Sequence, residues 1–312
     1  MASGDAQDVN GDDASDAVEP SSSDPLSERP VQLPLGNALD SDGAAVRMGA
    51  IQTTLVVVGG PQSSGKSTLI SSIYERLQQG PILGLHFSWS DTLMGFEKVC
   101  HEGRDESGRT SPETLHTSIS AGKLYYHLRL FDAGNESQYD LLMSDLSGEN
   151  YEDTRKFAEA CLRLEVLHRA DHFVLLLDGE RAASLSERHA ALDEVITILR
   201  ALHETGMLND ACNVCVVISK QDLIDENNEA VSAFYNDIEQ RLNEQFANKF
   251  ASLRCERVVA RDPNGGHPPA SGAENMLSYW LQTKRRPPQF EEVLESSGQN
   301  RQIDNYVATA GK

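Results

Sequence analysis

The sequence predicts an α/β fold, a three-layer sandwich around a mostly parallel six-stranded sheet with one antiparallel strand. Three observations predict it. Six short apolar or alternating runs are rich in β-branched and aromatic residues, most are separated by segments with one apolar helical stripe, and two are joined by a turn too short for a crossover. Strands alternating with helices pack side by side in parallel and are covered on both faces. Such sheets present ligands at the carboxyl ends of their strands.

The six runs are "TLVVVGG", "LYYHLRLFD", "YDLLMSDLSG", "HFVLLLDG", "NVCVVIS" and "CERVVA". Between the second and third lies only the short "AGNESQ", which makes an antiparallel hairpin. After the first strand, "STLISSIYERLQQ" puts Leu69, Ile70, Ile73, Tyr74 and Leu77 on one helical face, and Gly80-Pro81 stops it. Asp153 to Arg169, Ser184 to Glu204 and Glu229 to Phe250 repeat the pattern, and "AENMLSYWLQ" offers a last docked helix. Residues 80 to 122 show no long element beyond a short helix in "SDTLMGFEKVC", capped by Ser90 or Asp91; a polar connection of this length is either disordered or a functional insert.

Residues 1 to 50 carry ten acidic side chains and two arginines, so a disordered acidic tail is expected there. The folded domain is expected over residues 51 to 283, followed by an exposed tail over 284 to 312. The net charge of -21 argues against nucleic acid and anionic membrane surfaces as ligands. No apolar run approaches the roughly 20 residues of a membrane helix. Five cysteines without a secreted spacing pattern point to a reducing cytoplasm.

The strongest motif is Gly60-Pro61-Gln62-Ser63-Ser64-Gly65-Lys66-Ser67, followed by Thr68, between an apolar strand and a helix start. Its glycines permit a nest of backbone N–H groups around a β-phosphate, Lys66 reaches β and γ oxygens, and the Ser67 hydroxyl ligates Mg2+. This is a P-loop, and Gly60, Ser63, Ser64, Gly65, Lys66, Ser67 and Thr68 are its phosphate-binding candidates. In "MSDLSGE", Asp145 at a strand end can bind the metal through water, and the Gly148 N–H can contact a γ-phosphate. In "VVISKQDL", Asp222 can accept two hydrogen bonds from guanine while the Lys220 stem packs along the base. Adenine would leave a buried Asp222 unpaired.

"GPQSSGKS", "DLSGE" and "SKQD", in that order on a sheet with one hairpin, resemble the motifs of the translation-factor-like and Ras-like (TRAFAC) class of P-loop GTPases over residues 53 to 262. More narrowly, "FSWSDTLMGFEKVCHEGRDESGRTSPETLH", "SDLSGE" and "RADHFVLLLDG" are similar to the bacterial double-GTPase 2 family, proposed core GTPases of conflict or defence systems. The resemblance implies a GTP/GDP-binding, Mg2+-dependent molecular switch with slow hydrolysis and a protein partner. It implies a metal-completing threonine in the insert, with Thr110 favoured over Thr114 and Thr117, and a guanine-oxygen contact from the Ala260 N–H. The chain departs from the pattern twice: Ser219 stands where many such GTPases carry Asn, and Glu149 replaces the glutamine that orients water. Catalytic roles therefore fall to Lys66 and Glu149, with Arg109 more simply a solvated loop residue.

Two rival readings follow from the same residues. "FVLLLDGE" ends a strand in an acid, so Asp178 as metal ligand and Glu180 as base would make the chain a P-loop ATPase. Alternatively, the carboxylate of Glu149 leaves turnover negligible and the chain a nucleotide-gated interaction module. Cys212 and Cys215 point to opposite faces of a strand and read as core residues. His168 and His172 bracket a helix-to-strand junction and do not suggest zinc. Phe87, Trp89 and Phe96 read as a packed loop cluster.

Overall fold

A computed structural model describes residues 36–102, 123–208, 210–224 and 228–282. Seven strands, β1 (Thr53–Gly59), β2 (Leu85–Trp89), β3 (Leu124–Asp132), β4 (Ser137–Asp145), β5 (His172–Leu177), β6 (Asn213–Ile218) and β7 (Ser252–Arg257), form one sheet in the order β2-β3-β4-β1-β5-β6-β7. β3 runs against both β2 and β4, and the remaining pairings are parallel. One strand of seven is thus antiparallel. The expected sheet of six was one short, because β2 is a five-residue edge strand with mostly exposed side chains and a register shift between Phe87 and Trp89.

Alternation along β1 divides the core in two. Leu55 and Val57 face one apolar cluster and Val56 and Val58 the other. The first cluster is covered by α7 (Arg188–Glu204) and α8 (Glu229–Phe246), the second by α2 (Lys66–Gln79), α3 (Leu93–Glu102) and α9 (Glu274–Gln282). This is the three-layer sandwich. Cys212 and Cys215 do lie in opposite clusters, and Cys100 and Cys161 are also buried. All five cysteines are free; burial raises the Cys161 and Cys215 thiols and pushes Cys255 up to about 12.

Several local expectations need correction. α3 begins at Leu93, after Thr92, whose carbonyl accepts the Phe96 N–H; Ser90 serves the Thr92 N–H instead of capping the helix. The aromatic cluster divides, with Phe96 buried against Tyr74 and Tyr126 while Trp89 is largely exposed. The single helix expected over Asp153–Arg169 is three pieces: α4 (Gly148–Thr154), α5 (Ala158–Cys161) and a 3-10 segment, Leu162–His168. Extended backbone at Phe157 (φ -137°, ψ 122°) breaks it. A further short helix, α6 (Gly179–Ala183), precedes α7.

The acidic tail was expected to run through residue 50, yet α1 (Ser41–Ala50) is a docked helix. Asp40 caps it by accepting the Gly43 N–H at 2.8 Å, Ala44 is buried in the first cluster, and Leu39 bridges Tyr125 of β3. Arg47 then reaches Asp91 and Asp140, each at 2.5 Å. His127, fully buried between them, accepts the Asp91 N–H at Nδ1 (3.1 Å) and so donates from Nε2 to Asp140 Oδ1 (2.9 Å). Arg129 completes the set on Asp140. Acidic composition hid α1, because its anchor is a cation 93 residues from its carboxylate partner.

Removing Arg47 takes one of two cations from the buried Asp140 carboxylate, which keeps Arg129 and His127, and leaves Asp91 without its ion pair, so Arg47→Ala is expected to cost about 1–2 kcal/mol by urea unfolding, against under about 0.5 for a residue of a passive tail. Burial lowers the His127 pKa against the pull of Asp140 and Asp91. The native state therefore binds fewer protons than the unfolded chain once pH drops below the ordinary histidine value near 6.5. Stability present above that value is lost as pH falls toward the folded pKa. Thermal unfolding between about pH 7.5 and 5.5 should show this slope, and His127→Gln should flatten it.

Candidate functional site

β1 delivers the chain into the phosphate loop at Gly60. Left-handed backbone at Ser63 (φ 60°) and Gly65 (φ 92°) turns successive N–H groups inward, the geometry of an anion nest. A Cβ on Gly60 would lie 2.8 Å from Ser64 Oγ and 3.0 Å from the Leu176 carbonyl. Ser64 is buried and donates to the Pro61 carbonyl at 2.8 Å, which braces the turn from inside. Lys66 opens α2 and folds back across the loop, donating to the Gly60 and Pro61 carbonyls at 3.1 and 2.8 Å. Burial lowers its pKa, while the Asp145 and Glu152 carboxylates pull the other way. An anion bound in the loop would favour its charged form.

Ser67 Oγ donates to Asp145 Oδ2 at 2.6 Å, and Thr68 follows in the same helical turn. These two hard oxygen donors fit Mg2+, which takes one or two protein ligands and fills its octahedron with water and phosphate oxygens. Among the described residues no group of three His, Cys, Asp or Glu could hold a metal ion, and His168 and His172 contribute to none. Thr110, Thr114, Thr117 and Arg109 lie outside the described residues.

The segment that follows β4 sits directly on the loop. A Cβ on Gly148, the first residue of α4, would come within 2.6 Å of the Gln62 nitrogen, so only glycine permits this approach. Glu149 is exposed. Glu152, one turn beyond Gly148, is the carboxylate that meets the loop, accepting the Gln62 N–H at 3.3 Å. The sequence reading missed it, although the i, i+4 spacing from Gly148 places it on the loop-facing side of α4.

At the other end of the site, Lys220 adopts left-handed backbone (φ 52°) after the end of β6. Its ammonium reaches Asp178 Oδ2 at 3.0 Å and Glu180 Oε2 at 3.3 Å. Burial works against the Lys220 charge, but these carboxylates outweigh it and raise its pKa. Asp178 also caps α6 through the Glu180 N–H. The carboxylates of the ATPase reading are therefore engaged with Lys220, whereas Asp145 is the acid at Ser67. Asp222 lies in the 3-10 turn Gln221–Leu223 and is half-buried. Burial raises its pKa, its own N–H opposes that, and Asp262 adds to it against the His267 and Lys220 charges. Ala260 is buried, and the Gln221 N–H bonds the Val258 carbonyl just before it.

With this geometry in place, the chain can be set against known proteins. The family model described as double-GTPase 2 matches residues 54–281. The chain belongs to the double-GTPase 2 family. It is a GTP-binding P-loop protein. Among solved structures it is similar to the signal recognition particle receptor SRb-GTP/SRX complex from Chaetomium thermophilum, with 15% identity over 74% of this chain and 97% of that one, TM-score 0.41. It is also similar to the S. cerevisiae Ski7 GTPase-like domain bound to GDP and inorganic phosphate, with 13% identity over 77% and 52% of the two chains, TM-score 0.45. A third likeness is Methanosarcina barkeri Roco2 RocCORdC bound to GDP, with 12% identity over 75% and 51%, TM-score 0.35. The chain spans about half the length of the last two. No curated protein matches significantly.

In this double-GTPase 2 protein a charge bridge also joins the two ends of the site, which no local motif announced. Glu194 of α7 is buried and held by Arg155, just after α4, and by Arg181 of α6 at 2.7 Å. Gly179 of α6 packs so closely on the end of β6 that a Cβ would fall 1.9 Å from the Ser219 carbonyl. Gly179→Ala must push β5 and β6 apart at that point. It is expected to cost about 2 kcal/mol or more in chemical unfolding and to weaken guanine nucleotide binding in the same preparation.

Proposed function

We propose that this double-GTPase 2 protein binds GTP with Mg2+ and slowly hydrolyses it to GDP and phosphate, acting as a molecular switch. The observation that carries the reading is the Ser67–Asp145 contact at 2.6 Å, with Gly148 seated on Gln62 beside it. In this reading Ser67 and Asp145 hold Mg2+, which neutralises charge on the β- and γ-phosphates. Lys66 exchanges its two loop carbonyls for phosphate oxygens, and the amides from Ser63 to Thr68 cradle the β-phosphate. Water attacks the γ-phosphorus in line and the bond to the β–γ bridging oxygen breaks. Asp222 reads the guanine edge, the Lys220 stem covers the base, and the Ala260 N–H meets the guanine oxygen. Thr110 is the favoured residue to complete the metal shell.

A second reading, a nucleotide-gated interaction module with negligible turnover, draws on Glu149, an exposed carboxylate standing where a glutamine would orient water. Exposed Phe157 and Leu162 on the segment after α4 suit a protein partner in either reading. The setting in a bacterial conflict system and the cytoplasmic location rest on the family resemblance and on composition. The net charge of -21 disfavours nucleic acid, and no described helix is long and apolar enough to cross a membrane.

Titration with labelled GTP and ATP is the primary test: GTP should bind more tightly, and a preference for ATP overturns the guanine assignment. Asp222→Asn should weaken GTP relative to xanthosine triphosphate by about tenfold or more, as a lost pair of hydrogen bonds to the base requires. Phosphate release from the isolated chain should be slow but measurable; none, with GTP still bound, leaves the module reading.

A further inference from the structure

Three groups converge on the backbone of Gln62. Its N–H is donated to Glu152 Oε1 at 3.3 Å, its nitrogen and Cα would meet any Cβ on Gly148 at 2.6 and 2.7 Å, and Lys66 spans the same turn through the Gly60 and Pro61 carbonyls. Gln62 lies in the first half of the phosphate loop, on the side approached by the switch glycine. That is where a third phosphate would emerge from the nest, between the lysine and the Gly148 N–H. Glu152 brings a negative charge to that point. It also bears on Lys66, whose charged form the Glu152 carboxylate favours.

We propose that Glu152 is the residue by which this site distinguishes a nucleoside triphosphate from a diphosphate: its carboxylate stands in for the γ-phosphate on the Gln62 N–H and must be displaced when the third phosphate arrives. The inference rests on the nucleotide-binding reading above. Its physics is competition between two anions for one donor and one lysine. At 3.3 Å and partly exposed, the Glu152 bond lies beyond the usual N–H···O range, so it holds α4 on the loop without blocking a stronger acceptor. A diphosphate, ending at the β-phosphate, leaves Glu152 in place. A triphosphate forces the two negative charges apart and moves α4 with the carboxylate. The same contact therefore biases the site toward the diphosphate and links γ-phosphate arrival to a change in α4.

The test measures dissociation constants of the full chain for GDP and for a non-hydrolysable GTP analogue, with Mg2+, in the wild type, Glu152→Gln, Glu152→Ala and, as a control at an exposed carboxylate of α5, Glu159→Gln. Glu152→Gln keeps an oxygen that can accept the Gln62 N–H and removes only the charge. It should tighten the analogue about tenfold relative to GDP, the size expected of one like-charge pair in a partly exposed site. Glu152→Ala should shift the ratio in the same direction, and Glu159→Gln should leave it within about twofold. If both Glu152 variants change the two affinities equally, or not at all, the residue is structural and the proposal is wrong. If the wild type prefers ATP or binds no guanine nucleotide, the functional reading fails instead, and the wild-type arm alone reveals it.

Discussion

The hydrogen bond from Ser67 to Asp145 can form only because β4 lies directly beside β1, in parallel register from Thr53 opposite Asp140 to Val58 opposite Asp145. That register brings the last residue of β4 level with the end of β1, so one strand supplies the loop and its neighbour the carboxylate. β5 flanks β1 on the other side and in turn pairs with β6; Asp178 follows the end of β5 and Lys220 the end of β6, at the same edge of the sheet. Every functional group described above sits at or just beyond the carboxyl end of a parallel strand. The antiparallel β3 is what permits this: a nine-residue pairing returns the chain to β4 through a tight turn, without a crossover helix.

The two ends of the site are held by different forces. Where α6 meets the end of β6, backbone meets backbone, since a Cβ on Gly179 would fall 1.9 Å from the Ser219 carbonyl. At the phosphate end, side chains dominate, and the contact of α4 with the loop combines a glycine's lack of bulk with one long, exposed hydrogen bond. Close packing is bistable rather than elastic, so the end held by side chains is the one with alternatives available. The bridge from Arg155 through Glu194 to Arg181 crosses between them, joining the segment after α4 to the helix capped by Asp178. A buried carboxylate with two cations tolerates the loss of one more easily than a simple pair would.

Much of the fold was readable because β1, the loop and α2 obey local rules: an apolar run, glycines where left-handed backbone is needed, and a periodic stripe. The hairpin was readable from a turn length alone. β2 was not, since an edge strand with exposed residues has no apolar run to betray it. α1 was hidden by its composition, and its anchor to Asp91 and Asp140 comes from distant sequence. At the candidate site, spacing and chemistry single out Gly60 to Thr68, Asp145, Gly148, Lys220 and Asp222, and the structure brings the loop, Asp145 and Gly148 together. Glu149 and Glu152 both follow Gly148 within about one turn, and the i, i+4 position of Glu152 was overlooked because the helix start was placed five residues too late. The expected helix from Asp153 omitted the very turn that carries them.

The cysteines have a use of a different kind. A thiol reacts as its thiolate, and here four of the five are buried while the fifth is held, like two of the others, above its ordinary pKa. The folded protein is therefore a quiet background for maleimide chemistry. One cysteine introduced on the exposed side of α4 would carry a fluorophore alone, turning the segment that rests on the loop into an optical reporter without first stripping the native thiols from the core.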